Sequence, residues 1–203
     1  MIEDLKHKLK NYKPYINGYK NMKRASVLIP IVKKDNTHYI LFQVRSKNLK
    51  TQPNEISFPG GKIEINESPL DAVIRETCEE LGTTVKNINI ISPLDLLITP
   101  GNMIIHPFVG YIDNIDNLNL NKDEVDHIFL VPISYLLEND PCLYNNEIKV
   151  IPNENFPYDI IPNKENYKFS TSNYRVLFYK YENYVIWGIT AKILENFLEF
   201  LEI

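Results

Sequence analysis

A glycine pair followed by an acidic amphipathic segment is the feature that most restricts how this chain can fold. The stretch FPGGKIEINESPLDAVIRETCEELG runs from Phe58 to Gly82. Ser68 is a favourable N-cap, Pro69 suits the first turn of a helix, and Gly82 stands where a helix would end. The segment therefore predicts a tight loop that leads into a helix of about three to four turns.

The apolar spacing within this segment predicts which face of the helix is buried. Leu70, Ile74, Thr77 and Leu81 recur three or four residues apart, so they are expected to form one stripe that faces a core.

Glu76, Glu79 and Glu80 cluster on another face of the predicted helix, beside Arg75. A solvated acidic surface is the ordinary interpretation of several glutamates on one helix. Like charges one turn apart are mildly destabilising, however, and one arginine can pair with only one or two carboxylates. A divalent cation would turn that repulsion into binding, and carboxylates suit Mg²⁺ or Mn²⁺. The segment is therefore a candidate metal site.

The spacing of the charged residues and glycines resembles the Nudix box, the signature of the Nudix hydrolase superfamily. The matching positions are Gly61, then five residues and Glu67, then seven residues and Arg75-Glu76, then two residues and Glu79-Glu80, then one residue and Gly82. Thr77 and Thr83 depart from the pattern, which prefers bulky aliphatic residues there. The resemblance implies an α+β chain with the Nudix fold, an α/β/α sandwich around a mixed β-sheet.

The same resemblance implies roles for individual residues. The implied metal-binding residues are Glu76, Glu79, Glu80 and Gly61. Glu67 and Arg75 match a pair that braces the loop against the helix. Glu79 and Glu124 are both candidates for the carboxylate that accepts a proton from the attacking water, and the sequence does not choose between them.

Residues upstream of the glycine pair narrow the substrate. The stretch ILFQVRSKNLKTQPNEISFPGG resembles the additional signature of the coenzyme A pyrophosphatase branch, although Lys50 and Asn54 replace an arginine and a glycine of that pattern. The implied substrate-binding residues are Arg45, Lys50, Phe58 and Gly60. Coenzyme A carries a 3′-phosphate beside its diphosphate, so cations away from the metal fit this substrate. The stretches DEVDHIFLVPISYLL and IWGITAKIL also resemble this branch.

The implied function is a divalent-metal-dependent pyrophosphohydrolase. It would cleave coenzyme A or acyl-coenzyme A to adenosine 3′,5′-bisphosphate and 4′-phosphopantetheine or its acylated form. One alternative is a Nudix hydrolase of another nucleoside diphosphate-X, such as ADP-ribose or a dinucleotide. A second alternative is a non-catalytic nucleotide-binding module, which the complete set of glutamates disfavours.

The remaining sequence predicts how the chain is organised. Residues 1–22 are expected to form a helical extension, and residues 23–203 the Nudix domain, with an irregular insertion at about 141–172. The runs ASVLIPIV and HYILFQVR predict one β-hairpin, and YRVLFYKY with YVIW predicts another. Trp187 is expected in the core, as a lone tryptophan beside a helix start usually is.

Composition limits the partners. The chain has 203 residues, 44% of them hydrophobic, and a formal net charge of −4, so a surface for long nucleic acid is not expected. Two cysteines far apart in sequence, Cys78 and Cys142, suit a reducing compartment. The charged start predicts no signal peptide, and no apolar run predicts a membrane span. The expectation is a cytoplasmic protein that acts on a small nucleotide, with a homodimer left open.

Overall fold

Groups of three or four strands are separated by single helices in the structure, a computed structural model that describes residues 1–202. The strands are β1 (Lys23–Lys34), β2 (Thr37–Arg45), β3 (Ile56–Ser57), β4 (Gly60–Lys62), β5 (Ile88–Pro93), β6 (Leu97–Thr99), β7 (Met103–Ile112), β8 (Val125–Pro132), β9 (Cys142–Lys149), β10 (Thr171–Tyr181) and β11 (Tyr184–Trp187). The helices are α1 (Ile2–Leu9), α2 (Pro69–Leu81), α3 (Ile133–Glu138) and α4 (Gly188–Glu199). Short 3₁₀ turns occupy Tyr19–Asn21, Val85–Asn87, Ile115–Asn117, Tyr158–Ile160 and Lys164–Asn166.

The larger sheet is built around β1, in the order β3-β2-β1-β7-β5. β1 pairs antiparallel with β2 and parallel with β7, so the sheet is mixed. β4 also pairs with β1, β6 with β7, and β8 with β2. The predicted first hairpin is confirmed, and its turn residues Asp35 and Asn36 take the left-handed φ values of 47° and 62° that a tight hairpin requires.

Successive side chains of a strand point to opposite sides of the sheet, so a strand that is apolar throughout has two faces to bury. Helices cover both faces of this sheet. Leu28 packs in one apolar cluster with Val73 of α2, and Ile29 packs in another with Leu194 of α4. Each fully buried side chain of this kind contributes roughly 1.5–3 kcal/mol of hydrophobic stabilisation. The predicted α/β/α sandwich with a mixed sheet is therefore confirmed.

A smaller sheet of order β11-β10-β9 packs beside α4. Its outer strand β9 corrects the prediction that residues 141–172 are irregular, since it pairs antiparallel with β10 from Cys142↔Phe178 to Lys149↔Thr171. The side chains of β9 are almost all exposed. A strand without a buried face has no apolar alternation, which is why the sequence pattern did not reveal it. The following residues, 150–170, contain only 3₁₀ turns and irregular backbone.

Two side chains are more exposed than predicted. Trp187 was expected in the core but is 45% exposed at the end of β11, and Leu70 was expected in the stripe of α2 but is 41% exposed. The buried residues of α2 are Ala72, Val73, Thr77, Glu80 and Leu81. The helix thus lies rotated toward Glu80, because its docking against β1 decides which face is covered.

α1 has no buried residue. Within residues 1–202, no helix is both long and apolar enough to cross a membrane.

Candidate active site

α2 is attached to the larger sheet through its first turn. The Ser26 hydroxyl, at a fully buried position of β1, lies 2.8 Å from the Pro69 carbonyl oxygen and 3.1 Å from that of His106. The predicted N-cap forms as well, since the Asp71 N–H donates to the Ser68 hydroxyl at 3.1 Å. The start of the helix is therefore fixed relative to β1 and β7, and its glutamates are fixed with it.

Glu80 is the most buried of the clustered glutamates, with 4% of its surface exposed. Its Oε2 atom accepts a hydrogen bond from the Gly60 N–H at 2.9 Å. Burial raises the pKa of Glu80 to about 7, although the Gly60 bond and the neighbouring Gln43 side chain favour the charged form. The buried carboxyl is thus poised between protonated and ionised forms near neutral pH.

Glu76 lies half-buried against the backbone of Gly61. A Cβ atom on Gly61 would overlap the Glu76 carboxylate, so a larger residue there would have to displace that side chain. Burial raises the pKa of Glu76, and Arg75, which donates to its Oε1 at 2.9 Å, opposes that rise. The glycine loop and the carboxylate are therefore packed directly against each other.

Arg75 connects α2 to the loop that precedes it. Its Nε and Nη2 atoms donate to both carboxylate oxygens of Glu67, at 2.8 and 3.0 Å, and Nη2 also donates to the Lys62 carbonyl at 3.2 Å. The Arg75 hydrogen bond, followed by one from the Glu64 N–H, lowers the pKa of Glu67 to about 2. Glu67 in turn raises the pKa of Arg75. This bidentate pair has the geometry that the bracing role predicts.

Glu79 is half-exposed, and it pairs with Arg75 as well, at 3.2 Å from Nη1. Arg75 therefore contacts three carboxylates of the segment at once. Such a shared cation holds Glu76 and Glu79 in place while it reduces their mutual repulsion.

Glu124 is brought to the cluster by the loop before β8. The Asn121 N–H donates to the Glu80 carbonyl at 3.0 Å, and the Ser46 N–H donates to the Glu124 carbonyl at 2.8 Å. The Glu124 charge adds to the rise of the pKa values of Glu76 and Glu80. The family resemblance named Glu124 as a candidate base, and these backbone hydrogen bonds bring its loop to the end of α2.

Four carboxylates are thus concentrated around the glycine loop, and their oxygen donors suit a hard divalent cation. Across residues 1–202, no group of three or more His, Cys, Asp or Glu side chains is already arranged as a metal cage. The ion pairs of Arg75 with Glu76 and Glu79 account for this, because those carboxylates are turned toward the guanidinium. The chemistry of the donors fits a metal ion, and buried Glu80 is the group with the strongest need of a countercharge.

A cavity of about 400 Å³ opens on the other side of the glycine loop. It brings together three of the predicted substrate residues, Arg45, Phe58 and Gly60, whereas Lys50 is exposed and does not line it. The Nε atom of Arg45 is buried without a hydrogen-bond partner among the described residues. Phe58 is only 3% exposed and stacks on Phe42 with ring centroids 5.0 Å apart, so its ring mainly supports the cavity wall.

Asn54, which replaces the glycine of the substrate signature, has a φ of 61°. Asparagine tolerates this left-handed conformation better than other side chains. The turn that carries Arg45 toward Glu55 therefore keeps its shape without glycine, with the Arg45 N–H bonded to the Glu55 carbonyl at 2.9 Å.

Gln43 is a site residue that sequence reasoning missed. It is completely buried in β2 beside Glu80, and its Nε2 atom donates to the Ser57 hydroxyl at 3.3 Å. Its Oε1 atom has no partner among residues 1–202. A single amide within the apolar run YILFQVR was the available signal, since buried amides need polar partners. Asn146 and Tyr174 also line the cavity, and no pattern in the sequence pointed to them.

Comparison with known proteins defines the class to which this arrangement belongs. The NUDIX domain family model matches residues 22–162, most of the chain and all of the glutamate cluster. The chain belongs to the NUDIX domain family.

Individual relatives agree with this membership. Peroxisomal coenzyme A diphosphatase NUDT7 of Mus musculus is 33% identical over 115 residues, which cover 56% of this chain and 49% of that protein, so the match spans about half the length of that relative. Nudix hydrolase 3 of Caenorhabditis elegans is 28% identical over 180 residues, covering 87% of this chain and 72% of that protein. The crystal structure of a MutT/nudix family protein from Enterococcus faecalis aligns with a TM-score of 0.51 at 15% identity, covering 100% of this chain and 70% of that one, and supports the fold.

Proposed function

We propose that this protein is a divalent-metal-dependent pyrophosphohydrolase that cleaves the diphosphate of coenzyme A or acyl-coenzyme A. The products would be adenosine 3′,5′-bisphosphate and 4′-phosphopantetheine or its acylated form. The observation that carries the proposal is the cavity in which Arg45 and the glycine pair Gly60-Gly61 share one wall, with Glu76 and Glu80 directly behind that pair. The similarity to a relative named as a coenzyme A diphosphatase supports the substrate.

In this proposal Glu76, Glu79 and Glu80, with the backbone of Gly61, hold Mg²⁺ or Mn²⁺. When bound, such an ion neutralises charge on the diphosphate and lowers the pKa of the attacking water. The Gly60 N–H is already used by Glu80, so it orients a carboxylate and does not contact substrate. Gly60 allows the loop to lie close to β1, because a Cβ atom there would overlap the Ser26 carbonyl and the Val27 Cα atom.

The proposed base is Glu124 in preference to Glu79. Glu79 pairs with Arg75 and is also one of the proposed metal ligands, so its carboxylate oxygens are already engaged. No ion pair engages Glu124 within residues 1–202. Its charge acts on both Glu76 and Glu80, which supports a role beside the proposed metal site.

Arg45 is the proposed contact for the 3′-phosphate. Its guanidinium lines the cavity, and the buried, unpartnered Nε atom gives it a donor that an anionic group can satisfy. Because Lys50 lies outside the lining, Arg45 supplies the positive charge there.

A diphosphate panel tests the proposal. Coenzyme A, an acyl-coenzyme A, ADP-ribose and a dinucleotide are incubated with Mg²⁺ or Mn²⁺, and the products are separated by chromatography. Adenosine 3′,5′-bisphosphate is expected as the nucleotide product, and Glu80→Gln from the same purification serves as the inactive control. Absence of turnover on every compound, with a folded protein, would contradict the enzymatic proposal.

A second candidate is a Nudix hydrolase of another nucleoside diphosphate-X. The exposed position of Lys50 favours it, because one of the two cations proposed for the 3′-phosphate does not reach the cavity lining. Faster hydrolysis of ADP-ribose than of coenzyme A in the same panel would select this candidate.

A further inference from the structure

The outer face of the smaller sheet carries aromatic side chains that the proposed reaction does not use. Residues alternate along β10, so Leu177 and Tyr179 are buried toward α4 while Val176 and Phe178 line the opposite face. Across the sheet, Phe178 pairs with Trp187 of β11. The β9 strand extends this face beyond β10.

Three aromatic side chains and one valine form a surface that we call the aromatic groove. Its residues are Tyr144, Val176, Phe178 and Trp187. The Trp187 and Phe178 rings stack with centroids 5.8 Å apart and an interplanar angle of 9°. Tyr144 meets Phe178 edge-on at 5.4 Å. Trp187 and Tyr144 remain 45% and 61% exposed, so a large apolar area is in contact with solvent.

The aromatic groove lies next to the cavity beside the glycine loop. It borders a cavity of about 390 Å³ that shares Asn146, Val176 and Trp187 with the one lined by Arg45 and Gly60. Arg45 and Gly60 do not line this second cavity. The rings and the arginine therefore belong to two adjoining cavities.

The residues that line the second cavity indicate which kind of ligand it can bind. Three aromatic rings and a valine line it together with Cys142, Asn146 and Lys180, and no carboxylate is present in that lining. Burial of aliphatic carbon against such a surface is favourable, whereas a highly charged group would find few polar partners there. In the proposed function the 3′-phosphate binds at Arg45, which leaves the adjoining rings for the other end of the same substrate.

We propose that the aromatic groove binds the aliphatic chain of an acyl-coenzyme A thioester. The assignment rests on the proposed function for the orientation of the substrate, and on the three lining residues that the two cavities share for its location. The β9 strand that completes the groove belongs to the segment predicted as an irregular insertion, so this segment would select among acyl chains.

The first test compares kcat/KM for coenzyme A, butyryl-coenzyme A and octanoyl-coenzyme A. Full burial of each methylene group of the acyl chain raises affinity roughly fourfold. The groove is half-open and buries each methylene only in part. We therefore expect a kcat/KM about tenfold higher for octanoyl-coenzyme A than for coenzyme A. In Tyr144→Ala that ratio falls to about threefold, through a higher KM for the octanoyl substrate at unchanged kcat. Leu143→Ala is the matched control, since Leu143 is an exposed apolar residue of β9 outside the groove lining, and it retains the wild-type ratio.

The second test does not need hydrolysis. The chain contains a single tryptophan, Trp187, which lines both the groove and the neighbouring cavity, so its fluorescence reports on ligands bound at either place. Octanoyl-pantetheine, which lacks the nucleotide and the diphosphate, is expected to shift this fluorescence in a saturable way, more weakly in Tyr144→Ala.

The outcomes separate the two proposals. A fluorescence shift by octanoyl-pantetheine without hydrolysis of coenzyme A or of either acyl-coenzyme A overturns the proposed function and supports the groove. Hydrolysis of coenzyme A with no dependence on acyl length overturns the groove alone. A shift by adenosine 3′,5′-bisphosphate that Tyr144→Ala weakens, with no shift by octanoyl-pantetheine, means that the rings stack on the base, because Tyr144 lines the groove and not the Arg45 cavity. A shift that depends only on protein concentration means that a second copy covers the rings. Either result overturns the acyl assignment.

Discussion

Replacement of Glu80 by glutamine should stabilise the metal-free protein while it abolishes function. Burial raises the pKa of this carboxyl from 4.5 to about 7, so the folded chain holds the proton more tightly than the unfolded chain. Stability contributed by this group is therefore complete below pH 4.5 and is lost as the pH rises through 7. The difference between the two pKa values corresponds to about 3 kcal/mol by pH 8. A glutamine side chain avoids this loss because it is never ionised, and its oxygen can still accept from the Gly60 N–H.

The assay is thermal unfolding of wild type and Glu80→Gln in chelator, at pH 4.5 and at pH 8. The two melting temperatures should agree at the lower pH, and the variant should melt about 5–10 °C higher at pH 8, given roughly 2–4 °C per kcal/mol for a chain of this size. Mn²⁺ should raise the melting temperature of wild type but not of the variant. Glu79→Gln is the control, since its half-exposed side chain lacks the burial on which the effect depends. Equal melting temperatures at pH 8 would show that Glu80 is not a strained carboxylate, and the reasoning would fail.

Three further outcomes test the remaining roles. Glu124→Gln should lower kcat by at least ~100-fold, and Glu79→Gln by less, at unchanged melting temperatures; the reverse order would make Glu79 the base. Arg75→Ala should lower both the melting temperature and the turnover. The difference in stability between this variant and wild type should shrink as acid protonates Glu67 between pH 4.5 and 2. A variant that melts like wild type at pH 7 would mean that Arg75 acts on substrate instead. Wild type should prefer coenzyme A to 3′-dephospho-coenzyme A by ~10- to 100-fold in kcat/KM, a preference that Arg45→Ala should remove; equal wild-type rates would show that the 3′-phosphate is not recognised.

Local signals in the sequence determined much of the secondary structure. Ser68 and Gly82 mark the ends of α2 because capping depends on a few neighbouring residues, and both ends are found as predicted. The hairpin of β1 and β2 follows from apolar, β-branched runs on either side of a polar turn. The spacing from Gly61 to Gly82 likewise predicted membership of the Nudix superfamily, because that pattern is carried within one loop and one helix.

Tertiary structure alone decided which of these residues are buried and which meet. The predicted stripe was wrong at Leu70, which is 41% exposed, and right at Thr77 and Leu81, which are fully buried. Glu80 is buried beside them, and its raised pKa exists only because of that burial. Glu124 reaches the cluster through backbone hydrogen bonds from a loop, and β9 pairs with β10 in the same way. Backbone hydrogen bonds depend little on side-chain identity, so the sequence carries no pattern that announces them. Trp187 was expected in the core because a lone tryptophan is usually buried. The tertiary structure leaves it exposed instead, because β11 lies at the edge of the cavity beside the proposed site.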